Sequence, residues 1–171
     1  MIELMVVVTI LVVLSLVAVV SYKKYIRRGK NMEAIYMLGD IGMKQATYFG
    51  MYGQYVDTRS GPSAFGDGDY YPAGSIANGD KPWSILCPDH QSSYPGWCAL
   101  GSRPSSATVN YQYVTVGWAP GDPSPPTIYI KNPERHWWYA VARGDLDGNG
   151  VHSRFIMSSE VSEVYYYNEI E

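Results

Sequence analysis

From Leu4 to Val20 the chain reads LMVVVTILVVLSLVAVV, seventeen residues without a charge. At 1.5 Å rise per residue this makes a helix of about 25 Å, the short end of what a bilayer core requires. Valine and isoleucine are mediocre helix formers in water, but in lipid a single segment must satisfy its own backbone, and only a helix does so. The polar exceptions, Thr9 and Ser15, can return their hydroxyls to carbonyls four residues earlier. SYKKYIRRGKNMEAIYMLGDIGMKQATYFGMYGQY follows without a proline. In it Tyr22, Tyr25, Ile26, Tyr36, Met43 and Phe49 recur at helical spacing, with basic residues interleaved as the opposite face. The pattern predicts one helix from the N-terminus to about Tyr52, roughly 80 Å long and amphipathic in its outer half. Glycine costs about 1 kcal/mol in a helix, so Gly39 and Gly42 predict close packing, and Gly50 and Gly53 predict fraying.

Beyond the helix the pattern changes twice. Ten of the eleven prolines lie between Pro62 and Pro126, mixed with Gly and Ser, which excludes long helices there and predicts a loop-rich connection. After Ala107 five segments, ATVNYQYVTVGWA, PTIYIK, HWWYAVARG, VHSRFIMSS and SEVYYYN, alternate with period two and are rich in β-branched and aromatic residues. They predict an antiparallel sheet of four or five strands. A long helix lying on such a sheet is an α+β roll. The expected organisation is residues 1–22 as an apolar helix, 23–53 as its amphipathic continuation, 54–106 as the connection and 107–171 as the sheet.

At 171 residues and 46% hydrophobic content the chain suits one folded head rather than a multidomain enzyme. Its net charge of -3 conceals a split: residues 1–53 carry six Lys/Arg against three acids, the remainder seven against thirteen. A cleaved secretory signal fits poorly, because no basic region precedes the apolar run and no small-residue cleavage site follows. A buried soluble helix is rarely apolar on every face, which leaves a plain membrane anchor as the main rival. Glu3 argues against that rival: a carboxylate within the apolar phase costs up to about 2.5–3.5 kcal/mol and invites a cationic partner, such as the α-amino group of another subunit.

MIELMVVVTILVVLSLVAVV with its amphipathic continuation resembles the N-terminus of a type IV pilin after leader removal. The similarity covers residues 1–55 closely and the rest only in layout. It implies a helical homopolymer, an inner-membrane state with a periplasmic head before assembly, and an extracellular pilus afterwards. It also implies N-terminal methylation, a prepilin peptidase and a pilus assembly machinery as partners; the separated His90, His136 and His152 offer no catalytic constellation, so no enzymatic role is expected. Glu3 would set axial register by neutralising a neighbour's N-terminal amine. Pilins usually carry this acid at the fifth position, so two residues are expected to be missing before Met1. Val12 and Val20 stand near places where pilins often have helix-breaking Gly and Pro, predicting a straighter rod. A type II secretion pseudopilin, or a membrane-tethered glycan- or DNA-binding module, are the alternatives.

The remaining chemistry is sparse. Cys87 and Cys98 flank a polar loop and, in an exported protein, predict a disulfide; a metal site adding Asp89 and His90 is the rival. Asp145, Asp147 and Asn149, with Gly150 at the sixth position, match the first half of a calcium loop, but Ile156 stands where a bidentate Glu is needed. A hairpin turn explains the same residues, so calcium is an option and no cofactor is required. Lys23, Lys24, Arg27, Arg28 and Lys30 form a basic face expected to meet acids of neighbouring subunits, or phosphates of lipid or nucleic acid. His136-Trp137-Trp138-Tyr139 offers a stacking platform or, alternatively, core and intersubunit contacts. Ser102–Ser106 and Asp122–Thr127 are candidate O-glycosylation segments.

Overall fold

A computed structural model describes residues 2–59, 66–75, 77, 79–85, 87, 93–118 and 128–168, and the backbone alone at Val20. The first element, α1 (Ile2–Tyr52), is a single 51-residue helix, about 77 Å long at standard rise. Thr9 and Ser15 donate their hydroxyls to the carbonyls of Met5 and Leu11, each at 2.8 Å, so neither leaves a polar group bare on the apolar rod. From Ile2 to Val19 every large apolar side chain stands clear of the head, with exposures from 49% at Val8 to 79% at Ile2.

The outer half of α1 buries a face different from the one the aromatic spacing suggested. Asn31, Ala34, Leu38, Ile41, Gly42 and Gln45 point inward, while Tyr36 and Met43 are exposed. Closeness is local: a Cβ on Gly42 would stand 3.1 Å from Met157 and 3.3 Å from Trp138, so that one position takes glycine, while Met37, Leu38 and Ile41 fill the rest of the interface with the sheet. Gly39, expected to pack equally closely, has open space around it. Gly53 does not fray. Its φ of +69° and its N–H to the Phe49 carbonyl, 2.8 Å, make it the left-handed residue that ends the helix.

The connection carries a short ribbon, β1 (Lys81–Pro82) antiparallel to β2 (Thr108–Val109), and a one-and-a-half-turn helix, α2 (Pro95–Leu100). Cys87 and Cys98 form the expected disulfide. Four antiparallel strands then follow in chain order: β3 (Gln112–Trp118), β4 (Trp137–Gly144), β5 (Ser153–Ser158) and β6 (Tyr165–Tyr167). The protein is therefore α+β, a long N-terminal helix on a four-stranded antiparallel sheet. The segment PTIYIK supplies no strand within its described part; Ile128 and Tyr129 form a turn, and Ile130 is buried on the sheet.

Strands β3, β4 and β5 each feed two cores because alternate side chains point to opposite faces. Trp138, Ala140, Ala142 and Phe155 meet Ala34, Met37, Leu38 and Ile41 of α1. Trp137, Tyr139, Val141 and Ile156 form the second core with Val114, Val116, Tyr70 and Ile130. The His136–Tyr139 run is thus no stacking platform: Trp137, Trp138 and Tyr139 are all buried, their rings committed to the two sides of the sheet.

Candidate assembly surface

The head is fastened to the rod by polar residues of α1. Gln45, fully buried, donates from Nε2 to the Val56 carbonyl (2.8 Å) and to the Thr115 hydroxyl (2.9 Å), and its Oε1 accepts the Val56 N–H (2.9 Å). Glu33 accepts the Asn110 N–H at 2.8 Å and the Tyr113 hydroxyl at 3.1 Å on Oε1, and the Asn110 amide at 2.6 Å on Oε2. Asn31 accepts the Tyr111 hydroxyl at 2.6 Å, and Asp40 accepts the Ser102 hydroxyl at 2.5 Å. Ser102 is thereby taken from the candidate glycosylation sites, while Ser105 and Ser106 are exposed; residues 122–127 lie outside the described residues. Burial, followed by the negative charge of Glu33, holds the Tyr113 phenol well above its ordinary pKa. Burial alone leads the upward shift at Tyr139, and pushes Tyr70 up to about 12.

With the inner face so occupied, the opposite side of α1 is left to the outside. Tyr22, Tyr25, Met32, Tyr36 and Met43 fall on one side of the helix at 100° per residue and are 62–74% exposed. Gly29 and Gly39 lie on the same side, with nothing from the head within 4 Å of where a Cβ would be. This stripe continues the apolar surface of residues 2–19 out to Met43, and Met51 extends it to the end of the helix. Glu3 stands exposed in the first turn of the rod, where a negative charge also complements the helix dipole.

The basic residues divide between two sides. Lys23, Arg27 and Lys30 face the head, and Arg27 pairs with Asp147 of the same chain at 3.2 Å, so the structure gives it an acid of its own head. Lys24 and Arg28 are exposed on the neighbouring side. The β4–β5 turn that supplies Asp147 is held by its own acids. Asp145, buried, accepts N–H groups of Gly148 (2.8 Å), Asn149 (3.1 Å) and Gly150 (3.1 Å). Asp147 accepts the Asn149 N–H at 3.2 Å, and the Asn149 side-chain oxygen accepts the Val151 N–H at 2.6 Å. Gly148 and Gly150 adopt positive φ, +74° and +85°, as the turn requires. The geometry is that of a self-satisfied hairpin turn. Among the described residues no three His, Cys, Asp or Glu gather as a metal site. Asp89 and His90 lie outside the described residues.

The helix-to-head anchors Asn31, Glu33, Asp40 and Gln45 escape a reading based on apolar periodicity. Their recurrence on α1 between the basic cluster and the helix end is the signal that marks them. No protein-family model, no curated protein and no solved structure matches this chain.

Proposed function

We propose that this chain is the structural subunit of an extracellular type IV pilus, polymerising through α1 and serving motility, adhesion or DNA uptake. Fourteen large apolar side chains between Ile2 and Val19 are exposed. At about 1.5–3 kcal/mol each when buried, they represent on the order of 20 kcal/mol or more, beyond what a marginally stable head can carry in water. One helix long and apolar enough to cross a membrane is present, and lipid covers such a rod as well as neighbouring copies do.

The observation that carries the polymer reading is the stripe beyond the rod. Met43 lies about 35 Å past Val20 along the helix, far outside any bilayer that holds residues 4–20. Lipid cannot reach it, and the head does not cover it. A second α1 can, running alongside where Gly29 and Gly39 allow close approach. In the membrane only the inner half of the rod is covered; in a bundle of its own kind both halves are. Glu3 sets axial register by pairing with the amine of a neighbour, and the fibre needs no cofactor.

Electron microscopy of material sheared from the cell surface tests this. Long fibres that bind an antibody against the head are expected. A chain found only in membranes, as single copies, would reduce the protein to an anchored head.

A further inference from the structure

Between α1 and the β4–β5 turn lies a cavity of about 390 Å³ lined by Tyr22, Lys23, Ile26, Arg27, Lys30, Leu146 and Asp147. Among the described residues three cations face one carboxylate, so this lining is net positive in a chain whose remaining residues are net negative. Its height on the rod is set by the helix. Lys23 sits about 4.5 Å beyond Val20, Arg27 about 10 Å and Lys30 about 15 Å. Helical side chains lean toward the N-terminus, which here is toward the apolar segment, so the charged tips stand lower than their Cα atoms. The polar layer on each side of a bilayer is roughly 5–8 Å deep, and the mouth of the cavity opens into it when residues 4–20 fill the hydrocarbon core.

We infer that this cavity binds the phosphodiester of an anionic phospholipid headgroup while the rod resides in the membrane, an inference that rests on the membrane state proposed above. Lys23 and Lys30 flank the phosphate, and Arg27, held by Asp147 at 3.2 Å, adds its positive charge beside them. Ile26 and Leu146 give the glycerol and upper acyl carbons an apolar wall. A zwitterionic headgroup brings its own ammonium among three cations and is disfavoured. Asp147 competes with the phosphate for Arg27, so its removal strengthens binding where removal of the lysines weakens it. The bound lipid orients the head over the leaflet by bridging α1 and the β4–β5 turn.

The test places the full chain in nanodiscs of phosphatidylcholine with a minor share of phosphatidylglycerol and counts retained lipids by native mass spectrometry. The wild type is expected to retain one phosphatidylglycerol beyond its share in the disc. K23Q/K30Q should lower that enrichment about 25-fold, each surface cation contributing on the order of one factor of five. D147N, whose amide oxygen still accepts the Asn149 N–H, should raise it. K24Q/R28Q removes the same charge outside the cavity and should change it far less. Near-UV circular dichroism confirms a folded head in each variant. Absence of enrichment in the wild type overturns the inference, as does equal loss in K24Q/R28Q and K23Q/K30Q, or a fall with D147N. Saturable binding of soluble glycerol phosphate in neutral discs, as tight as that of the lipid, would overturn the assignment to a headgroup. Fibres formed by a chain without lipid enrichment refute this inference alone, and lipid enrichment in a chain that never polymerises refutes the pilus alone.

Discussion

Replacing Gln45 by Ala tests the joint between rod and head. The side chain is fully buried and makes three hydrogen bonds, two of them to both backbone groups of Val56, the residue on which the chain returns toward the sheet after the helix. Thr115 would keep a partner, because its hydroxyl also donates to the Tyr139 carbonyl at 3.2 Å. Val56 would not keep its partner. Its N–H and carbonyl would be left buried, at roughly 1–3 kcal/mol each. The vacated volume adds to the loss, and the better helix propensity of Ala returns only a few tenths of a kcal/mol. A net destabilisation of about 3 kcal/mol follows, which lowers the melting temperature by about 10 °C in a head of this size. Gln45→Leu fills most of the space and isolates the hydrogen-bonding part, at about 2 kcal/mol. Gln45→Glu keeps an acceptor for the N–H but turns a carboxylate toward the carbonyl, so it should cost at least as much as Leu. Denaturation of the full chain in detergent, followed by near-UV circular dichroism, reads the head separately from the rod. If Gln45→Ala and Gln45→Leu both melt with the wild type, the clamp does not hold the head, and the argument from buried hydrogen bonds fails.

Three further outcomes are expected. Glu3→Ala should leave the chain stable in membranes and sharply reduce fibre yield, measured by shearing and immunoblotting; undiminished fibres would remove the register role. Alkali should unfold the head as pH climbs from about 10 toward 12, because an unfolded tyrosine ionises near 10 while Tyr70, Tyr113 and Tyr139 are held higher in the fold. Their stabilising contribution is complete below pH 10 and lost above it; tyrosinate absorbance that rises fully while the near-UV spectrum persists would contradict the burial argument. Chelation with EGTA should leave the melting temperature unchanged, since Asp145 is satisfied by three N–H groups of its own turn, and a clear drop would favour calcium there.

The apolar rod, the helix end near Tyr52, the sheet and the disulfide were legible because each rests on a local rule: hydrophobic run, proline-free helical spacing, period-two alternation, paired cysteines in a polar loop. The buried face of α1 was not. Aromatic residues at helical spacing normally mark the core, yet here Tyr36 and Met43 face outward, and the sheet is met instead by the Ala34, Met37, Leu38 and Ile41 face. Asn31 and Glu33 bond partners 77–80 residues away, Gln45 bonds partners 11 and 70 away, and no local pattern reveals such partners. The described part of PTIYIK alternates like a strand, but Tyr129 and Ile130 pack on the sheet instead of extending it. The basic cluster was visible as charge; that Arg27 would find Asp147 depended on where the β4–β5 turn landed.

The chain enters the head only after Gly53 and folds back along the outer half of α1, so the head hangs beside the rod. In the proposed fibre, tension applied between points on residues 2–26 would run through the rod's own backbone and its lateral neighbours without crossing a single strand. The head is cargo on a cable. Its loops can be redrawn for new surfaces while the cable's strength stays the same.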